Sequence, residues 1–367
     1  LRILQVTPLF APHVGGVETH VREVSERLAD RGFDVSVLTT DATGELESVS
    51  RVGSIPVRRV AAYPRGRDWL LAPGLHGAIR SEPWDLLHLQ SFHTFVAPLA
   101  MATAAASGIP FVVTFHGGGS SSRLRREVRS TQLRLLSPLM RRAEALVAIA
   151  DFEISEYGPL VGVTADRFVK IPNGADLPVA ESPVHPEGRL IVSVGRLERY
   201  KGHHLSVQAL PHLRASDPSI RLWIAGSGPE EHNLRELAVQ LGVSDYVEIG
   251  AVDRVALANR LAGASLVVLL SQFESQPLAV LEAASLGVPA LVADNSGMSE
   301  LAAQGLATAV PLGLTPAAYA CAMVQAMSRK PNVRLGTIPT WDSCADQLAN
   351  LYRGIATRRS ARDSPST

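Results

Sequence analysis

Short apolar runs recur along this chain, and stretches with helical spacing lie between them. In the first half the runs cover residues 2–7, 35–39, 57–60, 86–90, 111–115, 145–149 and 168–171. In the second half they cover 190–194, 220–225, 246–249, 266–270 and 290–293. Helical stretches include 17–31, 95–106, 203–214, 231–241 and 254–262. Alternating β and α elements predict parallel, doubly wound sheets, so the fold class is α/β. A chain of 367 residues is too long for one ordinary core. The segment Leu177–Arg189 carries Pro178, Pro183 and Pro186 with few apolar residues, which predicts an interdomain linker. The expected division is a first domain over 1–176, a linker over 177–189 and a second domain over 190–340. Trp341, Ala345, Leu348, Leu351, Tyr352 and Ile355 lie on one face at helical spacing. They predict a final helix over 341–357, and the polar 358–367 predicts a disordered tail.

Composition removes several function classes. An apolar fraction of 46% and a mean hydropathy of +0.12 fit a well-packed soluble protein. Net charge is zero, so nothing points to a nucleic-acid partner. Two cysteines, Cys321 and Cys344, exclude a disulfide framework and a cysteine-rich metal site, and fit a reducing cytoplasm. The chain opens in a strand, with no basic and apolar leader pattern. The apolar stretch 95–113 is interrupted at Pro98, Gly108 and Pro110, and reads as a helix and a strand rather than a membrane span.

One segment carries the clearest chemistry. Glu274 and Glu282 stand eight residues apart, bracketing the helix start that follows the strand run 266–270. Loops at the carboxyl end of an open α/β sheet are where ligands bind. The backbone N–H groups of Ser275, Gln276 and Leu278 at that helix start favour a phosphate, and Pro277 at the first helical position loses only a donor with no intrahelical use. The competing reading is a plain strand-loop-helix with two exposed glutamates. Further candidates are Gly15 and Gly16 after the first strand, where the backbone can approach a ligand and take unusual φ values. His116 ends another strand run, and Arg196 and Lys201 follow residue 194 just before a helix. Cations at a helix start oppose its dipole, which argues for a specific anionic partner.

Together these segments resemble the retaining GT-B glycosyltransferases with a Glu-x7-Glu motif, the family-four type. The resemblance covers about residues 2–355. It implies two Rossmann-like domains facing a cleft, with the last helix crossing back to the first domain. It also implies transfer of a sugar from a nucleotide-sugar donor with retention at the anomeric carbon. In its terms Arg196 and Lys201 bind the diphosphate, Glu282 the ribose and Glu274 the sugar. Gly15, Gly16 and His116 complete the site from the first domain. His88 and His93 remain structural or acceptor-side candidates, and Asn173-Gly174 is hinge geometry.

The leaving diphosphate needs neutralising by a metal or by fixed cations. No Asp-x-Asp triplet occurs, so no metal and no cofactor beyond the nucleotide sugar is expected. The acceptor is a small molecule, a glycan or a lipid-linked group, from natural-product or cell-envelope glycan synthesis. Arginines and leucines interleave over 123–142, which predicts either a solvated rim or peripheral contact with the inner face of the membrane. Departures from the family pattern are Gln276-Pro277 in place of Phe-Gly, Ser299 in place of proline, and Ala150-Asp151 in place of serine. Two rivals stay open. An NAD-dependent Rossmann oxidoreductase needs Gly-x-Gly-x-x-Gly after the first strand, and Gly226-Ser227-Gly228 is only a partial match elsewhere. A non-catalytic sugar-nucleotide or membrane-binding module would not need the charged set of Arg196, Lys201, Glu274 and Glu282.

Overall fold

The computed structural model describes residues 1–65, 70–117, 123–177, 188–332 and 338–363, without the side chains of 123–129 and 362–363. Residues 178–187 of the expected linker, and Gly118-Gly119, lie outside the described residues. The chain forms two compact units. The first comprises Leu1–Gly117, Leu124–Gly174 and the segment from Thr340 onward, and the second holds Ala175–Pro339.

The first unit runs β1 (Arg2–Val6), α1 (Gly16–Asp30), β2 (Asp34–Asp41), β3 (Val49–Val52), β4 (Ile55–Ala61), α2 (Gly74–Arg80), β5 (Leu86–Gln90), α3 (Val96–Ala106), β6 (Phe111–Thr114), α4 (Arg123–Met140), β7 (Ala145–Ala148), α5 (Asp151–Val161) and β8 (Phe168–Lys170). Its sheet order is β3-β4-β2-β1-β5-β6-β7-β8. All neighbours pair in parallel except β3 with β4. That hairpin turns at Gly53, where φ is +57°. β3 alternates exposed and half-buried residues, so no apolar run marks it in the sequence. Strand order reverses between β1 and β5, because the chain builds outward to the β3–β4 hairpin at the edge and then returns to the other side of β1.

The second unit runs β9 (Leu190–Val194), α6 (His203–Ser216), β10 (Arg221–Ala225), α7 (Glu231–Gln240), β11 (Val247–Gly250), α8 (Arg254–Ala262), β12 (Leu266–Leu269), α9 (Leu278–Ser285), β13 (Ala290–Ala293), α10 (Ser296–Ala303), β14 (Thr308–Val310) and α11 (Pro316–Met327). The order is β11-β10-β9-β12-β13-β14, and every pairing is parallel. Order reverses between β9 and β12. Both sheets are therefore doubly wound and Rossmann-like, each with one topological switch point. The boundary falls between Gly174 and Ala175, ahead of the expected linker, because Ala175 is already buried in the second core.

The last helix, α12 (Trp341–Asp363), belongs to the first unit. Trp341, Ala345, Leu348, Tyr352 and Ile355 are all buried. Arg31, the C-cap residue of α1, pairs with Asp346 (2.7 Å) and Asp342 (3.0 Å). The expected end at residue 357 and the expected disorder over 358–363 are corrected, since the helix continues to Asp363, and residues 364–367 lie outside the described residues. No glycine or proline interrupts residues 356–363, and Arg359 reaches Glu144 (3.2 Å) and the Gly108 carbonyl (3.1 Å).

The first unit also buries an unusual amount of polarity. Gln5, His20, His88, Gln90, Thr114 and Tyr352 are almost fully enclosed. Burial lowers His20 to about 4 and His88 to about 3, from an ordinary 6.5. Below 6.5 the unfolded chain takes up these protons and the folded chain does not. Stability is then fully present above that value and is lost as pH falls, by about 1.4 kcal/mol per pH unit for each ring. Buried His203 of the second unit, lowered to about 4, acts in the same direction. The urea midpoint followed by circular dichroism should be flat from pH 8 to 7 and fall steeply from pH 6 to 5. A midpoint unchanged at pH 5 would contradict this.

Candidate functional site

In the second unit the charged residues converge at the switch point. The loop after β9 carries Arg196 and Lys201, and the loop after β12 carries Glu274. Since β9 and β12 are neighbours, these loops leave adjacent strand ends. Lys201 Nζ donates to Glu274 Oε1, and the Ser271 hydroxyl donates to the same oxygen (3.0 Å). Side-chain exposure is only 14% for Lys201 and 11% for Glu274, so this is a largely buried pair. Burial alone would depress Lys201, but the Glu274 carboxylate outweighs it and holds the ammonium above its ordinary value. Lys201 is therefore a permanent cation.

The backbone of Glu274 is clamped as well. Its N–H donates to the Ser296 hydroxyl (3.0 Å), and its carbonyl accepts from Gly297 N–H (2.9 Å). The Asn295 amide donates to the Ser271 carbonyl (3.1 Å). A Cβ on Gly297 would lie 1.6 Å from the Ser275 carbonyl oxygen, so only glycine allows this approach. Ser296 takes a left-handed φ of +49°, a strained conformation for a non-glycine residue. Together these contacts fix where the Glu274 carboxylate points.

Arg196 is more exposed and reaches Tyr200 (3.2 Å) and Glu198 (3.3 Å). Its carbonyl accepts from His203 Nε2 (3.2 Å), while His203 Nδ1 faces the Ser193 hydroxyl (2.8 Å). The loop also rests on Gly226-Ser227-Gly228. A Cβ on Gly226 would lie 2.0 Å from the Gly195 carbonyl oxygen, and one on Gly228 2.6 Å from that of Leu197. Those glycines cradle the protein's own backbone, so the partial dinucleotide match has a structural use.

Glu282, on α9, is almost fully buried. Its carboxylate pairs with Arg254 at 3.1 Å, and Arg254 also donates to the Asp176 carbonyl (3.4 Å). The motif does not pick out Arg254. Its signal is a cation in the first turn of α8, behind the Asp253 cap, where a helix dipole disfavours positive charge. Ser275, Gln276 and Leu278 lie at the start of α9 as expected, but Pro277 is the N-cap and not the first helical residue, since its ψ of 110° is extended. The Ser275 hydroxyl is buried with no hydrogen-bond partner among the described residues.

In the first unit Gly15 and Gly16 open α1. The expectation of unusual φ values is corrected: Gly15 is extended at φ −175°, and Gly16 is helical. A Cβ on Gly16 would meet no protein atom within 4 Å. His116, after β6, has a left-handed φ of +47° and is 6% exposed. Burial, reinforced by His20, His88 and His93, holds its imidazole neutral, well below its ordinary value. His20 packs edge-on at 4.6 Å and donates from Nδ1 to Asn173 (2.7 Å). Glu153, on α5, accepts from the N–H groups of Gly117 (2.5 Å) and Ile149 (2.9 Å), tying together the loops after β6 and β7. A carboxylate at the third position of a helix is a capping signal visible in sequence. Gly174 serves packing: a Cβ there would lie 2.1 Å from the Trp341 backbone nitrogen.

On α4 the described residues Leu133, Leu136 and Met140 point into the core, while Arg134, Leu135, Arg141 and Arg142 are exposed. Three of the apolar positions of that half, Leu133, Leu136 and Met140, are used by the fold, Leu135 is not, and the side chains of residues 123–129 are not described. No helix among the described residues is long and apolar enough to cross a membrane.

Two doubly wound units, one with clustered cations and carboxylates at its switch point, define the GT-B architecture. Residues 14–178 match the family described as Glycosyltransferase Family 4, and residues 179–332 match Glycosyl transferases group 1. The chain belongs to this glycosyltransferase family. It is similar to glycogen synthase of Mycobacterium tuberculosis, at 30% identity over 99% of this chain and 96% of that protein. It is also similar to the D-inositol 3-phosphate glycosyltransferase of Nocardiopsis dassonvillei, at 28% identity over 97% and 94%. Among solved structures, sucrose-phosphate synthase from Thermosynechococcus elongatus shares the fold with a TM-score of 0.80 at 19% identity, covering 97% of this chain and 99% of that one. HepE of Anabaena, solved with UDP-glucose, has a TM-score of 0.71 at 18% identity over 98% and 99%.

The Gly297 contact is directly testable. Gly297→Ala must push the Asn295–Gly297 turn away from Glu274, costing about 2 kcal/mol or more by overpacking. A displacement of order 1 Å at the carboxylate should lower turnover up to roughly a hundredfold. Gly16→Ala, which meets no protein atom, should leave the thermal midpoint within error. Wild-type turnover in Gly297→Ala would show that Glu274 does not need this clamp.

Proposed function

We propose that this chain is a retaining, metal-independent glycosyltransferase that moves a sugar from a nucleotide-sugar donor to an acceptor. The observation that carries the reading is the buried Lys201–Glu274 pair beside Arg196 at the switch point of the second unit. A permanent cation held against a fixed carboxylate suits a substrate with a diphosphate next to a polar sugar. Lys201 and Arg196 neutralise the charge that grows as the nucleoside diphosphate leaves. Glu274 accepts from sugar hydroxyls, and Glu282, oriented by Arg254, accepts from the ribose. The N–H groups of Ser275, Gln276 and Leu278 face the phosphates, aided by the α9 dipole. Of the first unit's residues, His116 is assigned to the transferred sugar, and Gly15 and Gly16 to the donor phosphate and the acceptor.

Retention follows if the acceptor oxygen attacks from the face the diphosphate leaves. In that case the departing phosphate oxygen takes the acceptor's proton, and no protein nucleophile is needed. The UDP-glucose complex of HepE and the glycogen synthase similarity support a nucleotide-hexose donor. The acceptor belongs to natural-product or cell-envelope glycan synthesis on this reading. The exposed Arg134, Arg141 and Arg142 support peripheral contact with an anionic membrane surface as a secondary proposal.

Alanine at Lys201 or Arg196 should each weaken nucleoside diphosphate binding, by roughly ten- to hundredfold for Lys201 and less for the exposed Arg196. Binding of the bare nucleoside should not change. Calorimetry reads this, and wild-type diphosphate affinity in Lys201→Ala would refute the assignment.

Turnover should also survive excess EDTA to within about twofold, because fixed cations take the place of an ion. Loss of activity on chelation, restored by manganese or magnesium, would overturn the metal-independent reading. Product NMR should show the donor's anomeric configuration retained.

A further inference from the structure

A continuous hydrogen-bonded chain of six side chains crosses the first unit's core. His116 Nε2 faces Gln90 Oε1 at 2.7 Å, and the Gln90 amide donates to Gln5 Oε1 at 2.8 Å. The Gln5 amide donates to the Tyr352 hydroxyl at 3.4 Å, and that hydroxyl faces His88 Nδ1 at 2.5 Å. His88 Nε2 faces Thr114 Oγ1 at 2.7 Å. Each of the six is at most 6% exposed.

Such a chain has a polarity. An amide carbonyl only accepts and an amide nitrogen only donates, so each side chain passes its direction to the next. Only two directions keep every member satisfied, and the amide orientations select one. The Gln90 carbonyl accepts, so His116 carries its proton on Nε2. The Tyr352 oxygen receives from Gln5, so its own proton goes to His88 Nδ1. His88 then donates from Nε2 to Thr114.

We infer that Tyr352, on the last helix, is a positioning residue that sets the tautomer of His116 through Gln5 and Gln90, leaving His116 Nδ1 as a hydrogen-bond acceptor for a hydroxyl of the transferred sugar. Among the described residues Nδ1 has no protein partner. Burial supports the arrangement by keeping His88 and His116 neutral, so that each has one acceptor nitrogen, and by raising Tyr352 so that it stays a donor. The left-handed backbone of His116 adds a second constraint on where the ring lies. The inference rests on assigning His116 to the sugar, as proposed above. Its new content is that the sugar donates to this ring rather than accepting from it, and that a helix far along the chain decides so.

The test uses full-length protein with 15N-labelled histidine, the His116 signals being assigned through His116→Gln. Two-bond proton–nitrogen spectra distinguish the tautomers. Wild type should show His116 protonated at Nε2. Tyr352→Phe removes the hydroxyl, so a second His116 tautomer should appear, with kcat reduced roughly tenfold. If that variant does not fold, Gln90→Met cuts the chain next to His116 and should give the same spectral change. A wild-type His116 protonated at Nδ1, or as imidazolium, would overturn the inference. So would a folded Tyr352→Phe whose His116 tautomer is unchanged. Full activity of His116→Ala would instead count against the proposed role of His116 while leaving the tautomer result intact, so the two failures are separable.

Discussion

The reversal of strand order in each sheet is the constraint on which everything else depends. Right-handed crossovers put the helices after β9 and β10 on one face of the second sheet, and those after β12 and β13 on the other. Where the direction changes, between β9 and β12, two neighbouring loops depart to opposite sides and their strand ends stay uncovered. Lys201 and Glu274 come together because they sit on those two loops, although 73 residues separate them. The same reversal in the first unit lies between β1 and β5, beside the loops that carry Gly15, Gly16 and His93.

Charge in such a place must be managed. A buried ion pair loses hydration that its mutual attraction repays only when geometry is good and the remaining lone pairs are satisfied. Glu274 meets that condition through Ser271 at its carboxylate and through Ser296 and Gly297 at its backbone. Glu282 meets it through Arg254. Both carboxylates are thus held in advance of any ligand, and the entropy of orienting them is lost on folding rather than on binding. Ser296 and His116 carry left-handed backbone conformations, and both lie beside proposed ligand contacts, as strained residues often do.

The first unit manages uncharged polarity instead. Its core places two glutamines, a tyrosine and two histidines in register on β1, β5, the β6 loop and α12. Neutral rings tolerate burial that charged ones would not, and a hydrogen-bonded polar network adds specificity to the packing. Tyr352 ties α12 to this core, while Arg31 and Arg359 hold it at the surface. The helix is therefore part of the first unit's structure along its described length, past the point where apolar spacing ends.

The sequence by itself determined the kinds of elements and most of their bounds, because strand and helix signals are local. Leu266–Leu269, Ala290–Ala293 and Arg254–Ala262 could be read directly from apolar runs and helical spacing. The β3 strand and β14, short edge strands of exposed or half-buried residues, left no such trace. The residues of the charged set were legible as motif members, since cations and carboxylates are out of place beside apolar strands. What held them was not. Arg254 beside Glu282, Ser296 and Gly297 beside Glu274, and Glu153 beneath Gly117 are contacts between elements far apart in the chain. Strand order, which creates those contacts, follows from which sheet edge each crossover takes, and no local pattern records it. Only the tertiary structure decided that the Gly226-Ser227-Gly228 turn cradles its own backbone, or that the final helix continues to Asp363. Both depend on which atoms meet once the chain has closed on itself.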